Sequence, residues 1–397
     1  MRRDRHLLYA AVFLRATGLS MLAVLAGAYF VGLALSPAER GAVIAAGLAG
    51  CVVASALVAW HGDRWGRRRC VLALGALSAL GGAGLALAHD GWAAGVAAFV
   101  CMLNAMGRDR GGTLVLEQAM LPAAAGSDHD RTAVMAWHHV WQDIGHALGA
   151  LAAALPALAI AAGSDADLAM RLAVAGAALL IALAALPYLG LSPAVEAAPA
   201  ATHAPMSPAG RRITTRLSAL FLVDAIGGGF LTTAWLSGFF IERFDASLEA
   251  LALLFAGARA LNAVSHLGAA WLARRIGLVN TMVFTHIPSS ILLLTVPIAP
   301  SFAVAAALLL LREGLVEMDV PTRQSYLMAV VAPGDRTRAN GVTSLVRMAG
   351  WTIGQAGAGL AGQAGLGLSL MIGAGMKIGY DVLLYAAFRR VRPPEER

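Results

Sequence analysis

The sequence predicts an all-α integral membrane protein whose twelve transmembrane helices form two pseudo-symmetric six-helix bundles. Three observations predict it. The 397 residues are 59% hydrophobic and only 13% charged, where a soluble domain carries about 25% charged residues. Apolar runs recur at the length of about 20 residues that crosses a bilayer as a helix. The two halves of the chain also repeat one another in register.

The expected spans are 7–34, 40–61, 69–88, 92–121, 133–158, 168–190, 216–241, 248–272, 279–299, 302–330, 339–362 and 366–388. The first run, from Leu7 to Leu35, is too long for a signal-peptide core and lacks a convincing cleavage site, so it reads as a helix. The second ends in the basic stretch Arg64 to Arg69, and the third closes before Asp90. The fourth and tenth are long and charged, so their inner ends are expected to bend or project into the cytoplasm. Pro321 interrupts the tenth because it lacks a backbone donor. The fifth carries a polar face, and the sixth follows Asp165 and Asp167. Ser192 to Arg216 is rich in Ala, Pro, Thr and Ser and then basic, which reads as a flexible cytoplasmic linker. The seventh to twelfth spans repeat the plan. The expected organisation is therefore a bundle over 1–191, a linker over 192–215 and a bundle over 216–397.

Orientation follows from charge. The net charge is +7, concentrated at Arg2-Arg3-Asp4-Arg5, Arg64 to Arg69, Arg211-Arg212, Arg274-Arg275, Arg336 with Arg338, and Arg389-Arg390. The alternate loops carry Asp90, Asp165 with Asp167, and Asp245 with Glu249. Positive charge marks the cytoplasmic side, which puts both termini and the central loop inside a multi-pass protein of the cytoplasmic membrane. The arginines come as loop-end pairs rather than as one face, which argues against nucleic-acid binding. Cys51, Cys70 and Cys101 have no metal-ligand spacing and read as small packing residues.

The internal repeat is specific. Gln118 matches Gln324, Asp130-Arg131-Thr132 matches Asp335-Arg336-Thr337, and Gly145 and Gly149 match Gly350 and Gly354. Trp60 and Gly66 match Trp271 and Gly277. Two parallel repeats imply a pseudo-two-fold axis along the membrane normal and a site at the repeat interface. The two Gly-x-x-x-Gly stripes allow close helix approach.

The segment Ala59-Trp60-His61-Gly62-Asp63-Arg64-Trp65-Gly66-Arg67-Arg68-Arg69-Cys70-Val71 resembles the G-x-x-x-D-R-x-G-R-R-x-x-L loop of the major facilitator superfamily, with Ala59 and Val71 as departures. With twelve spans, two repeats and a linker, the resemblance covers the whole chain. It implies the major facilitator fold and a gate made of Asp63, Arg64, Gly66 and Arg67, in which the Asp meets the start of the eleventh helix near Arg338-Ala339-Asn340. Helix N-termini attract carboxylates. The second-half copy has Arg274 in place of the Asp, so it is not expected to latch alike. Antiporters of the superfamily carry a Gly-Pro on the fifth helix; here Gly149 is followed by Ala150, which weakens an antiporter assignment.

Ionisable residues inside apolar runs are expensive and usually face a partner or a wet cavity. Arg15 and Asp224 occupy matching positions in the first and seventh spans. They can pair with each other, bind charged substrate, carry a coupling proton, or form structural bridges to other neighbours. The tenth span carries Arg312, Glu313, Glu317, Asp319 and Arg323. Glu313 and Glu317 share a helix face and suit proton coupling, unless the arginines merely neutralise them. The fourth carries Arg108, Asp109, Arg110 and Glu117. Glu117 aligns with Arg323, a second sign-inverted pair that suits an inner gate. His139, Asp143 and His146 share a face of the fifth helix. The two histidines are roughly 10 Å apart by helical rise, so a single-ion metal site is not expected; the face suits a proton or substrate role, or else packing with hydrogen bonds. Arg259, Asn262 and His266 form a polar stripe on the eighth helix, which suits a cavity wall. Lys377 and Asp381, four apart on the twelfth, read as a local ion pair.

The expected function is secondary active transport of a small molecule by alternating access, proton-coupled and outward in direction, by a monomer in the lipid bilayer. No cofactor and no metal are expected, and no nucleotide-binding P-loop is present. The alternatives are uptake of a small anionic or zwitterionic metabolite, using Arg15, Arg259, Arg312 and Arg347, and a membrane sensor or assembly subunit without transport. No nucleophile–base constellation points to an enzyme.

Overall fold

The computed structural model describes residues 2–107, 111–124, 128–196, 206–332 and 335–389. Among these the secondary structure is helical throughout. In chain order the helices are α1 (Arg2–Gly32), α2 (Pro37–Trp65), α3 (Arg67–Ala86), α4 (Gly91–Cys101), α5 (Gly112–Ala124), α6 (Asp128–Ala152), α7 (Leu155–Ala161), α8 (Ala166–Leu183), α9 (Leu186–Leu189), α10 (Pro208–Gly229), α11 (Thr233–Phe244), α12 (Leu248–Ile276), α13 (Leu278–Thr295), α14 (Phe302–Val316), α15 (Asp319–Val330), α16 (Arg336–Ala364) and α17 (Leu366–Phe388). Eight helical segments among the described residues are both long and apolar enough to cross a membrane.

Local chemistry sets many of the ends. Ser36 and Glu39 form a reciprocal capping box that starts α2, satisfying two backbone donors that a helix start leaves orphaned. Asp90, Asp165, Ser207, Thr232 and Ser301 cap α4, α8, α10, α11 and α14 through side-chain oxygens. Between α2 and α3 the chain turns at Gly66 with φ +89°, a conformation that strains any residue with a Cβ.

Five expected spans are discontinuous. The fifth and sixth each pause for two residues, between α6 and α7 and between α8 and α9. The fourth stops at Met102, which adopts left-handed geometry, and resumes at Gly112 as α5. The tenth breaks at Glu317–Met318 between α14 and α15, four residues before Pro321, which has no N–H to offer the Glu317 carbonyl. Both agree with the bends expected there. The break in the seventh span, between α10 and α11, was not anticipated. It follows Gly227-Gly228-Gly229, a run of poor helix formers, and Thr232 restarts the helix by accepting the Trp235 N–H at 3.2 Å. α10 also begins at Pro208, eight residues before the expected start of the seventh span, because Ser207 caps it.

The chain divides into two compact units, one of Met1–His203 with Thr232–Ala256 and the other of Ala204–Leu231 with Gly257–Arg397. In the first, α1 packs against α6, α8 and α11, and α3 against α4 and α8. The α1–α6 approach depends on glycine. A methyl at Gly145 would stand 2.6 Å from the Phe13 carbonyl oxygen, and one at Gly149 would overlap the Thr17 carbonyl. In the second unit, α10 packs against α16 and α17, and α13 against α14, α15 and α17. Gly350 and Gly354 repeat the close approach there, against Ala225 and the Ile226 carbonyl of α10. The paired stripes therefore serve the same crossing in each unit, as the repeat implied.

The ends of the segment expected to be a flexible linker are fastened. Ser192 donates to Asp4 through its N–H at 3.0 Å and its hydroxyl at 2.7 Å. Glu196 accepts from the backbone N–H of Arg67 at 2.7 Å and of Arg68 at 3.2 Å, so a residue from after the sixth span caps α3. Ser207 donates to Asp335 through its N–H at 3.1 Å and its hydroxyl at 2.5 Å. Hydrogen bonds from Ser207 hold the Asp335 carboxyl below the usual aspartate range. Residues 197–205 of the expected linker lie outside the described residues.

Candidate functional site

Each unit contains a buried ionic cluster. In the first, α1 presents Arg15 and α5 presents Glu117, whose side chains are 6% and 0% exposed. Arg15 Nη1 donates to Glu117 Oε1 at 2.8 Å, and its Nη2 makes a second, shorter bond to Oε2. This is the bidentate geometry in which a guanidinium holds a carboxylate best. The hydroxyl of Tyr188, on α9, donates to Glu117 Oε1 at 2.6 Å and accepts from Arg15 at 2.5 Å. His138 Nε2 on α6 lies 3.2 Å from Glu117 Oε2. Four helices thus converge on one carboxylate.

In the second unit, α10 presents Asp224 and α15 presents Arg323. Arg323 Nη1 donates to Asp224 Oδ2 at 3.2 Å and pairs more tightly with Asp319 one turn away. Lys377 Nζ, from α17, donates to Asp224 Oδ1 at 2.7 Å, and Arg347 Nη2, from α16, lies 3.9 Å from Oδ2. Arg347 also stacks over Trp351 at 4.9 Å. On the far side of Lys377, His286 of α13 sits 3.4 Å from Nζ and hydrogen-bonds Asp381 at 2.9 and 3.0 Å.

Arg15 and Asp224 therefore each meet a partner in their own unit, and the partners, Glu117 and Arg323, are the other sign-inverted pair of the repeat. The same helix pairing recurs with its polarity reversed: cation on α1 and anion on α5, then anion on α10 and cation on α15. A buried ion pair survives in low dielectric only when geometry and further hydrogen bonds compensate its desolvation. Tyr188 and His138 compensate in one unit, Lys377 and Asp319 in the other.

The remaining candidates disperse. Arg312 pairs with the adjacent Glu313, both buried, and Glu317 is half-buried beyond them. Arg259 is half-buried on α12. His139 and Asp143 are exposed, and His139 hydrogen-bonds Gln142 at 3.2 Å. The inward face of α6 keeps His146 of the expected stripe but has His138 and Gln142 in place of His139 and Asp143, each one residue earlier. Asp109 lies outside the described residues, as do its neighbours Arg108 and Arg110, and so does the side chain of His266. In the basic loop, Asp63 is exposed and accepts from Arg67 Nε at 2.8 Å. Arg67 also reaches the Ala119 carbonyl at 2.8 Å, tying the loop to α5. Arg64 is exposed on the last turn of α2.

Sequence reasoning passed over Tyr188, His138, His286 and Glu196. A lone His286 inside an apolar span was a usable signal; Tyr188 and Glu196 gave none. Lys377 and Asp381 do not pair with one another as expected from their spacing: Lys377 turns to Asp224 and Asp381 to His286. Arg40, buried on α2, bonds Glu242 of α11 at 2.6 Å.

The sequence matches the family model of the Major Facilitator Superfamily over residues 8–355, and the chain belongs to that superfamily. It is thus a multi-pass membrane protein of the twelve-helix transporter fold, a secondary transporter of small molecules and not an enzyme. Among curated proteins it is 26% identical to an uncharacterized membrane protein of Saccharomyces cerevisiae, YJR124C, over 86% of this chain and 84% of that one. Its fold is similar to the nucleoside transporter NupG (TM-score 0.76, 17% identity, 97% of this chain and 99% of that one). It is also similar to a bacterial homologue of the human lysosomal transporter Spinster (TM-score 0.77, 14% identity, 97% and 96%).

Proposed function

We propose that the protein is a proton-coupled exporter of a small molecule, working by alternating access of two six-helix bundles, 1–191 and 216–397. It acts as a monomer in the cytoplasmic membrane with both termini inside. The observation that carries this reading is the sign-reversed repetition of a buried ion pair, Arg15–Glu117 in one unit and Asp224–Arg323 in the other. A static fold gains little from such pairs, because apolar residues of the same volume stabilise a core as well or better. Ion pairs that exchange partners between conformations give the transporter two discrete states, which is what alternating access requires.

In this reading Asp224 and Arg15 present charge to substrate or to the coupling proton. Glu117 and Arg323 set the inner gate, with Asp63, Arg64, Gly66 and Arg67 as the cytoplasmic latch. Arg259, Arg312, Glu313, Glu317, His139 and Asp143 line the route. A second reading, uptake of an anionic metabolite, is favoured by one observation: Asp224 gathers three cations, Lys377, Arg323 and Arg347, for which a substrate carboxylate or phosphate would compete.

The test uses full-length protein in liposomes containing a pH-sensitive dye and offered nucleosides, sugars, amino acids and organic anions in turn. Substrate-dependent proton movement is expected, and Asp224→Asn should abolish it while leaving the protein folded. Proton movement equal to that of protein-free liposomes for every compound sinks the proton-coupled reading. Direction follows from which imposed gradient drives flux.

A further inference from the structure

We propose that the coupling proton is stored at Asp381, deep between α13 and α17, and reaches it along a hydrogen-bonded chain from Lys377 through His286. This site rests on the proton-coupled reading above and takes the role for which the sequence alone offered Glu313 and Glu317.

The geometry defines the chain. Lys377 is an ammonium with donors only, so across 3.4 Å it makes His286 Nε2 the acceptor. The hydrogen of the neutral ring is then on Nδ1, which donates to Asp381 at 2.9 and 3.0 Å. At the other end Lys377 donates to Asp224 at 2.7 Å. Four ionisable side chains from α10, α17 and α13 thus lie in one line. Its closed end is Asp381, 0% exposed, and its open end is beside Asp224 and Arg347, whose side chain is 17% exposed.

Asp381 differs from Asp224, Asp319 and Glu313, the other carboxylates buried within the spans of this unit, in what it touches. Asp224 is faced by three cations, Asp319 pairs with Arg323, and Glu313 pairs with Arg312. The imidazole of His286 is the sole side chain hydrogen-bonded to Asp381 among the described residues. The charged and titratable groups around the pair are Asp224 of α10, Arg312 and Glu313 of α14, Asp319 and Arg323 of α15, and Lys377 and Tyr380 of α17, with Arg347 of α16 beyond them at Asp224. With His286 neutral, Asp224, Asp319 and Asp381 balance Arg323, Arg347 and Lys377, and Glu313 balances Arg312.

The transfer balances as three hops. Lys377 gives a proton to His286 Nε2, His286 gives its Nδ1 proton to Asp381, and Lys377 regains one proton from water. The sum is one proton taken up, with no other bond changed. Afterwards Nε2 carries a hydrogen and no longer accepts from Lys377, so the 3.4 Å contact is lost. Lys377 is left to Asp224 alone, and the unit holds one uncompensated positive charge. Proton uptake at Asp381 is thereby felt at Asp224, where the ion pair with Arg323 is made.

Infrared difference spectroscopy of the full-length protein in lipid tests this, stepping the pH from about 8 to about 5, the range of histidine-linked titrations. A protonated-carboxyl C=O band is expected to grow on acidification in the wild type and to be lost in Asp381→Asn. In Asp381→Glu and His286→Gln the band should persist with a displaced midpoint, which a structural role would not produce. A band of unchanged size and midpoint in Asp381→Asn, or no titrating carboxyl in the wild type, overturns the site. If the band behaves as expected but liposome flux ignores a pH gradient, the storage site stands and proton-coupled transport fails.

Discussion

Reversing the polarity of the first ionic pair tests whether the two units use one architecture with opposite signs. Arg15→Glu or Glu117→Arg alone leaves two like charges buried where side chains are 6% and 0% exposed. At the observed 2.8 Å, opposite unit charges attract by about 6 kcal/mol at an effective dielectric of about 20. Desolvation cancels much of this, and the measured cost of breaking a buried pair is about 3–5 kcal/mol. Each single variant should lose at least that much. The double variant Arg15→Glu with Glu117→Arg recreates the anion-then-cation order of Asp224 and Arg323. It should recover most of the loss, giving a coupling of about 3 kcal/mol in a double-mutant cycle. Chemical unfolding of purified protein in mixed micelles, followed by tryptophan fluorescence, provides the four stabilities. Coupling below about 0.5 kcal/mol would refute the argument, because the two charges would then act independently.

Other consequences follow from the same contacts. Gly149→Val and Gly354→Val should each destabilise by about 1–3 kcal/mol, since a side chain there overlaps the Thr17 or Ile226 carbonyl; thermal unfolding measures it, and wild-type stability would contradict it. Glu196→Ala should release the cap on α3 and speed amide exchange at Arg67 and Arg68 about five- to thirty-fold, for a loss of about 1–2 kcal/mol. The Asp335 carboxyl is held below its ordinary range by the Ser207 hydrogen bonds, so the clasp contributes fully above about pH 4 and its contribution disappears as pH falls through the lowered value. Asp335→Asn should therefore flatten the acid limb of a Tm-against-pH curve, and an unchanged limb would remove Asp335 as its source.

Much of the architecture could be read directly. Hydropathy and the register of Asp-Arg-Thr, Gly-x-x-x-Gly and the Trp-Gly loops found the repeat, because each unit repeats the same close crossing with the same small residues. Pro321 located the break in the tenth span through its missing donor. The polar residues of α6 show the limit. Adjacent histidines at 138 and 139 differ by a third of a helical turn or less, and a stripe chosen by spacing fell on the wrong one. The triple glycine before α11 was visible as composition, yet its consequence, a helix that stops and restarts, depends on the Thr232 cap and on the α16 and α17 backbones that crowd those glycines.

Length, hydrophobicity and internal repetition pointed to membrane insertion and helix number, and the loop from Ala59 to Val71 carried the resemblance to the superfamily, since each is a property of chain segments taken one at a time. Which buried charge answers which was settled by folding alone. Arg15 finds Glu117 across 102 positions and Lys377 finds Asp224 across 153, while Lys377 and Asp381, one turn apart, turn to different partners. In a low-dielectric interior a charge takes the counter-ion that packing brings within hydrogen-bond reach, and nearness in sequence does not supply that reach.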